Sequence, residues 1–172
     1  NDPYFTERSV LGTPASASTL ASPLMKANLW ATPVASGLAG PSDLIDWGNS
    51  IVVVERHADR LSSIDEEGHV TPLITDLAEP RHSARHGEAL IVATDTEIIK
   101  WTEGEIEQLA VLTMSADDLI ADEFAIYWVT DGGLYQAEVG VEPERIADVG
   151  RDAQIALTST SVIVATAQPS SD

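Results

Sequence analysis

The densest group of side chains able to bind a metal ion or transfer a proton lies in the segment Arg81-His-Ser-Ala-Arg-His86. If this segment is a β-strand, His82 and His86 lie on one face and the two arginines on the other, because side chains alternate along a strand. Two imidazoles on one face can hold a divalent cation when carboxylates from neighbouring strands complete the ligand set. The segment therefore predicts a metal or anion site, or a polar strand whose basic side chains pair with nearby acids.

The charge balance of the chain bears on this choice. The 172 residues contain 28 Asp and Glu against 9 Lys and Arg, which gives a net charge of −19. Because basic side chains are scarce and acids are abundant, we favour ion pairing over metal binding for the segment. The same negative charge argues against nucleic acid as a partner, since phosphate binding needs clustered Lys and Arg.

Other reactive groups are few. The absence of cysteine excludes disulfides, thiolate metal sites and cysteine nucleophiles. No Gly-x-Ser-x-Gly turn occurs, and Gly132-Gly133 is predicted to be a hairpin turn rather than a phosphate loop. The acidic run Ser115–Glu123 could bind Ca²⁺, but it lacks the Asp-x-Asp-x-Asp-Gly loop with a closing Glu, so a solvated turn is favoured.

The first 40 residues differ in composition from the rest of the chain. Their four charged side chains cancel, and the segment 13–23 consists of Ala, Ser, Thr, Pro and Leu. Such a stretch has little to bury, which predicts an irregular arm over residues 1–28. The arm resembles the mature N-terminus of a secreted protein rather than an intact signal peptide, so we predict an extracytoplasmic location. The longest apolar runs are a few residues long, and no membrane span is predicted.

A repeated strand pattern runs through the remaining residues. Apolar runs rich in Val and Ile begin at positions 50, 89, 125 and 162, so their spacings are 39, 36 and 37 residues. The first three runs are each followed by a turn, a short alternating strand, a second turn and a last strand. No unit shows the apolar i, i+3, i+4 stripe of a helix. Four short antiparallel strands at a period of about 40 residues are the unit of a β-propeller blade.

The sequence therefore predicts an all-β fold, a small β-propeller of about four blades or part of a larger propeller, with an irregular N-terminal arm. The predicted repeat domain covers residues 29–172, with units at 41–75, 80–114, 116–150 and 153–167. The stretch 34–68 resembles the blades of NHL-repeat, TolB-like and sugar lactonase or dehydrogenase-type propellers. It contains a Gly-Leu-x-x-Pro entry at Gly37–Pro41, a buried strand, a polar turn with Arg and an Asp-x-x-Gly ending at Asp65–Gly68.

This resemblance is good over 34–75, weaker over the next two units and partial over 151–167. It implies a propeller fold but no particular activity, because propellers host unrelated functions. Six blades at this period would need more than about 200 residues. The ring would close within one chain if Leu29–Ser36, with 17–24 as a third strand, completed the last unit. Alternatively, a partner chain or a second copy supplies the missing strands. We favour closure within the chain, because open propeller edges expose unpaired strands.

The first strand of each blade lines the channel of a propeller, so polar residues on these strands are the candidate ligand-binding groups. In the aligned units one position is predicted to be shared by Asp43, His82, Asp118 and Ile155. The predicted ligand-binding residues are Asp43, Trp47, Arg81, His82, Arg85, His86, Asp118 and Asp122. A metal site here would combine the two histidines with Asp43 or Asp118, and Ca²⁺ or another divalent cation would be its ion.

These observations predict a non-catalytic binding module that recognises a protein or a carbohydrate on one face of the ring. The prediction rests on the repeats together with the lack of a catalytic motif. The alternative is an enzyme, or a fragment of one, of the sugar lactonase or dehydrogenase propeller type, with a divalent cation in the channel.

Overall fold

The computed structural model of the chain describes residues 22–26, 32–138, 140–150, 152–158 and 161–166. In these ranges the regular structure is β-strand, apart from one 3₁₀ helix, η1 (Arg56–Ala58). All strand pairs are antiparallel. The predicted all-β fold is therefore confirmed.

Within the described residues the strands form three four-stranded sheets and two sheets of two strands. One two-stranded sheet consists of β1 (Ser22–Lys26) and β2 (Thr32–Leu38). Blade 1 consists of β3 (Pro41–Trp47), β4 (Ser50–Glu55), β5 (Arg60–Ile64) and β6 (Val70–Ile74). Blade 2 consists of β7 (His82–His86), β8 (Ala89–Ala93), β9 (Glu97–Thr102) and β10 (Glu105–Val111). Blade 3 consists of β11 (Asp118–Ala121), β12 (Ile126–Thr130), β13 (Gly133–Ala137) and β14 (Glu144–Asp148). The other two-stranded sheet consists of β15 (Gln154–Leu157) and β16 (Val162–Ala165).

The second strand of each blade is the buried strand expected from the repeat. β8 is buried over its whole length, and β4 is buried from Val52 to Glu55. Val and Ile suit this position because each core strand packs against neighbours on both faces. Two-residue turns containing Gly48 (φ +65°) and Gly87 (φ +60°) connect the innermost strands of blades 1 and 2 to these core strands.

Hydrophobic clusters between successive sheets form the core. The first cluster joins Ala35 and Leu38 of β2 to Val53 and Ile64 of blade 1. Three further clusters include Val52 with Leu90 between blades 1 and 2, Ile91 with Leu119 between blades 2 and 3, and Val129 with Ile155 between blade 3 and β15. The innermost strands follow one another in space, because β3 contacts β7, β7 contacts β11 and β11 contacts β15.

The expected closure of the ring within one chain is not found in the described residues. β2, which overlaps the predicted segment Leu29–Ser36, pairs with β1 and packs on blade 1, while β15 and β16 form a separate sheet. No strand pairing joins β1 or β2 to β15 or β16 in the described residues, so the completion of the last unit by β2 stays a prediction. β1 lies within the predicted irregular arm, whose residues 1–21 and 27–28 lie outside the described residues.

The motif that carried the resemblance makes the contact between β2 and blade 1. The Asp65 carboxylate accepts hydrogen bonds from the amides of Glu67 (3.0 Å) and His69 (2.8 Å), which shapes the turn between β5 and β6. Gly68 in this turn has φ +87°, and a Cβ there would lie 2.0 Å from the Val34 carbonyl oxygen. Glycine is therefore required at this position both for its backbone conformation and for the close approach of β2.

Candidate functional site

The eight predicted ligand-binding residues fall into two groups at opposite ends of the innermost strands. Asp43, Arg81, His82 and Asp118 lie at or near the strand starts, while Trp47, Arg85, His86 and Asp122 lie at or near the strand ends. A rise of about 3.3 Å per residue places Asp43 about 13 Å from Trp47 along β3. The structure therefore does not gather the eight side chains into a single site.

Asp43 links the innermost strands of blades 1 and 2. Its Oδ2 atom accepts hydrogen bonds from the Ser83 amide at 2.7 Å and from the Ser83 hydroxyl at 3.3 Å. Burial raises the pKa of Asp43 above its ordinary value, although the hydrogen bonds from Ser83 and Leu44 and the charge of His82 act in the opposite direction. In this structure the carboxylate is used for contact between blades.

Asp118 makes the same link one joint further along the ring. Its Oδ2 atom accepts a hydrogen bond from the Ile155 amide of β15 at 2.8 Å, and its Oδ1 atom accepts one from the Leu119 amide at 2.8 Å. Asp43 likewise accepts a hydrogen bond from the adjacent Leu44 amide with Oδ1 at 2.8 Å. Two of the predicted ligands thus share one structural arrangement, in blades 1 and 3.

The strand register corrects one predicted correspondence. Asp43 lies opposite Val54, His82 opposite Ala93 and Asp118 opposite Val129. In the last sheet the residue at this position, opposite Ala165, is Gln154, so the predicted member Ile155 is displaced by one residue. The apolar run of the fourth unit was aligned from Val162, whereas the equivalent starting position is Ser161.

The two arginines of this segment, Arg81 just before β7 and Arg85 within it, contact neighbouring side chains. The Arg81 guanidinium donates through Nε to Asp95 and lies 3.9 Å from Glu79. The hydrogen bond from Arg81 is the largest cause that lowers the pKa of Asp95. Arg85 instead lies over the Trp47 ring, 5.0 Å from its centroid, and donates to the Gly87 carbonyl oxygen at 3.0 Å. Arg81 thus forms the ion pair expected from the favoured interpretation, and Arg85 forms a cation–π contact.

The two histidines do not converge on a shared carboxylate. His86 Nδ1 lies 2.5 Å from the Asp122 carbonyl oxygen, which requires the proton on Nδ1. The Asp122 carboxylate accepts from the amides of Phe124 (2.7 Å) and Ala125 (2.8 Å) within its own turn. Among the described residues, the only three His, Asp or Glu groups with ligand atoms all within 4.8 Å are Asp65, Glu67 and His69, in an exposed turn. The predicted combination of His82 and His86 with Asp43 or Asp118 is therefore not assembled.

The innermost strands border a different candidate site, an open depression that we call the central cleft. It has a volume of about 330 Å³ and is lined by residues of all four innermost strands. Most of its wall is aliphatic, including Leu44, Leu119 and Leu157. Among the described lining residues the only charged one is Asp46, which is exposed. Asp46 is not among the eight ligand-binding residues predicted from the sequence. The alternation along β3 is the signal that could have found it, because Leu44 and Asp46 face away from blade 2.

A second groove lies between the outer strands of blades 2 and 3. It has a volume of about 460 Å³ and is lined by residues 108–113 and by Trp128, Tyr135 and Glu142. The Trp128 and Tyr135 rings are stacked, with centroids 5.7 Å apart and planes 10° from parallel. Trp128 is only 2% exposed and belongs to the core between blades 2 and 3, so its ring serves packing.

Solved structures with similar folds identify the architecture. Nidogen, in a complex with laminin, aligns with a TM-score of 0.70 at 14% identity over 83% of this chain and 63% of that chain. Virginiamycin B lyase from Staphylococcus aureus aligns with a TM-score of 0.57 at 17% identity over 68% of this chain. The chain has a β-propeller fold. The predicted resemblance to propellers is confirmed at the level of fold.

The matches also show how much of a propeller is present. The chain spans 45% of the length of the virginiamycin B lyase chain and 63% of the nidogen chain, but 91% of the computationally designed Ika4 protein, which aligns with a TM-score of 0.57 at 13% identity. No protein-family profile and no curated sequence matches the chain. Within the described ranges, no helix has the length and apolar character needed to cross a membrane.

Proposed function

We propose that this chain is a binding module that recognises a protein partner by taking a basic side chain, flanked by apolar residues, into the central cleft. The observation that carries the proposal is the lining of the cleft, in which an aliphatic wall surrounds one exposed carboxylate, that of Asp46. An apolar wall binds the methylene chain of a Lys or Arg, and the carboxylate pairs with its charged end.

The charge of the whole chain supports a cationic partner. With 28 acids against 9 bases, the negative field attracts basic segments and raises their rate of association. The described lining of the cleft contains no aromatic residue. Because sugars are held by stacking on aromatic rings, this lining favours a protein ligand over a carbohydrate.

Binding without catalysis is supported by the polar groups that line the cleft. Only Asp46 and Ser83 offer side chains suited to proton transfer or nucleophilic attack in the described lining. The Ser83 hydroxyl donates to Asp43, and no histidine lies next to it in the cleft lining to act as its base. Propellers with similar folds include a lyase and a protein in complex with laminin, so the fold is compatible with either class.

We also propose that the module works outside the cytoplasm. The support is the Ala-, Ser-, Thr- and Pro-rich composition of residues 13–23, the absence of cysteine and the low number of lysines. A bacterial surface component of a type-IX secretion system, PorZ, is among the proteins of similar fold, with a TM-score of 0.56 at 17% identity.

The binding proposal is tested by titrating the ¹⁵N-labelled chain with the tripeptide acetyl-Leu-Lys-Leu-amide and following amide shifts. We expect saturable shifts at Leu44, Asp46, Ala84 and Ala121, which border the cleft. The matched peptide acetyl-Leu-Glu-Leu-amide should leave these amides unchanged. Cellotriose is the carbohydrate arm, and shifts at the cleft with cellotriose alone would assign the site to sugars.

The Asp46→Asn variant separates specific recognition from general attraction. Loss of one exposed ion pair, worth about 1 kcal/mol, should weaken peptide binding about fivefold. Glu88→Gln removes the same charge from a turn outside the cleft lining and should have little effect. Equal effects of the two substitutions, or no saturable shift with any ligand, would overturn the proposal.

A further inference from the structure

The two sheets of two strands, β1–β2 and β15–β16, correspond to complementary halves of one blade. β2 leads into the innermost strand of blade 1, just as β6 leads into that of blade 2, so β1 and β2 are the two outer strands of a blade. β15 follows blade 3 and contacts β11, so β15 and β16 are the two inner strands of a blade. Joined through β16 and β1, these sheets would contain the four strands that each complete blade has.

The β15–β16 sheet exposes the face with which a blade packs against the next one. Gln154, Ala156, Ile163 and Ala165 on this face are all exposed. Val54, opposite Asp43, and Ala165, opposite Gln154, are equivalent positions. Ile163 lies two residues before Ala165 and therefore occupies the position of Val52, which is fully buried against blade 2. Ile163 itself is 52% exposed, so the last sheet presents an unpartnered apolar face.

The opposite end of the chain exposes the matching face. Leu44 on β3 is 39% exposed and Ile51 on β4 is 37% exposed, on the side of blade 1 that faces away from blade 2. In blade 2 the same two positions are occupied by Ser83 and Leu90, which are buried against blade 1. β2 already covers Val53 and Ile64 on this side, and what blade 1 lacks is cover for its inner strands.

The hydrogen bonds between blades fit a continuation of the ring from Gln154 to Leu44. Asp43 and Asp118 each bond the adjacent amide of their own strand and an amide of the next blade. At the joint between blades 2 and 3 the corresponding residue is His82, and the amide it would meet, that of Leu119, is already bonded by Asp118. At the inferred joint Gln154 takes the position of His82. The amide that it would meet, that of Leu44, already donates a hydrogen bond to Asp43, as the Leu119 amide does to Asp118.

We infer that a second copy of this chain completes the propeller, with the β15–β16 sheet of each copy placed against blade 1 of the other and β16 paired with β1. The occupant is a second copy because the exposed faces of the β15–β16 sheet and of blade 1 correspond to the two sides of a joint between successive blades. A face of one copy therefore fits the other face of a second copy. Two copies related by a twofold axis satisfy both sheets at once. The edges of β1 and β16 that pair with no strand among the described residues would then become paired. Closure within one chain is disfavoured, since β2 and β16 lie in separate sheets.

The inferred joint leaves the central carboxylate accessible. Asp46 occupies the position of Arg85, which is exposed at the joint between blades 1 and 2. The joint would cover Leu44, which also lines the central cleft. The two proposals are nevertheless read out separately, by the mass of the chain and by the peptide titration, so each can fail without the other.

The direct test is the mass of the purified 172-residue chain by light scattering, combined with disulfide trapping. We expect twice the 18.3 kDa of one chain. Because the chain contains no cysteine, the double variant Ile51→Cys with Ile163→Cys reports one contact, that corresponding to Val52 with Leu90. Oxidation should give a covalent dimer. A disulfide within a single chain would overturn the inference in favour of closure in one chain.

A pair of matched substitutions tests the same joint without cysteine. Ile163→Asp places a charge in the joint and should convert the dimer to monomer with the β-sheet circular dichroism retained. Val111→Asp, at a residue 75% exposed on the outer strand β10, should leave the dimer intact. A monomeric parent chain, or a dimer that tolerates Ile163→Asp, would show that this face is not the interface.

Discussion

The carboxylate of Asp43 accepts a hydrogen bond from the amide of Ser83 at 2.7 Å, and this bond joins two blades that share no strand pairing. Side-chain packing between blades has little directional preference, whereas a hydrogen bond to a backbone amide sets the relative height of two strands. Asp118 makes the equivalent bond to Ile155, 2.8 Å long. The innermost strands are thus aligned by aspartates in alternate blades.

Removing the Asp43 carboxylate should destabilise the fold more than removing a neighbouring exposed one. In Asp43→Ala the Ser83 amide loses its acceptor in a partly buried setting, which costs about 1–3 kcal/mol of the free energy of unfolding. Asp46→Ala on the same strand removes an exposed carboxylate and should change stability by less than about 0.5 kcal/mol. Urea denaturation of the two variants measures the difference, and similar losses would contradict a structural role for Asp43.

Asp118→Ala should loosen the last sheet more than the rest of the molecule. The bond from the Ile155 amide ties β15 to blade 3, and the sheet of β15 and β16 has no other strand partner in the described residues. Hydrogen exchange should therefore accelerate at Ile155 and along β15, while β8 keeps its protection. Uniform acceleration along the whole chain would indicate global destabilisation instead.

Glu55 should make stability depend on pH in the acidic range. Its buried carboxylate accepts hydrogen bonds from Arg60 Nε (2.7 Å), the Ser62 hydroxyl (2.6 Å) and the Ala39 amide (2.7 Å). Burial alone would raise the pKa of Glu55, but these bonds outweigh burial and hold the pKa below its ordinary value of 4.5.

Because the folded pKa is the lower one, the contribution of Glu55 is present above pH 4.5 and is lost as the pH falls through the folded value. Glu55→Gln should cost about 2 kcal/mol near neutral pH and should flatten the acid side of the stability profile. Denaturant unfolding between about pH 3 and pH 7 measures both effects. An unchanged acid slope in Glu55→Gln would show that other carboxylates cause the loss of stability in acid. Asp43, whose pKa is raised, contributes to the pH dependence of stability with the opposite sign.

Gly68→Ala should detach β2 from blade 1. The new Cβ would lie 2.0 Å from the Val34 carbonyl oxygen, so β2 must move, whereas Gly104, with a similarly positive φ, has nothing within 4 Å of its Cβ position. Gly104→Ala should cost only the backbone penalty of about 1–2 kcal/mol. Gly68→Ala should cost more and should expose the cluster of Leu38 and Val53 to solvent, which hydrogen exchange on β2 detects. Equal losses in the two variants would mean that the approach of β2 contributes nothing.

Much of the architecture could be predicted from local patterns. The Val- and Ile-rich runs, their regular spacing and the turn residues between them determine strands and blades, because strand formation and tight turns depend on neighbouring residues. The predicted units at 41–75, 80–114 and 116–150 contain all twelve strands of the three complete blades. The Asp-x-x-Gly motif likewise indicated a turn, although not its contact with β2.

The use of each polar side chain was decided by the tertiary structure. Sequence alone could not distinguish Asp43 as a ligand from Asp43 as a link between blades, because the amide that it bonds belongs to Ser83, forty residues away in the chain. The pairing of β2 with β1 and the position of Gln154 also depend on register between strands, where a shift of one residue moves every side chain to the other face. Composition and period thus determined the blades, and the contacts between blades determined which residues remain free to bind.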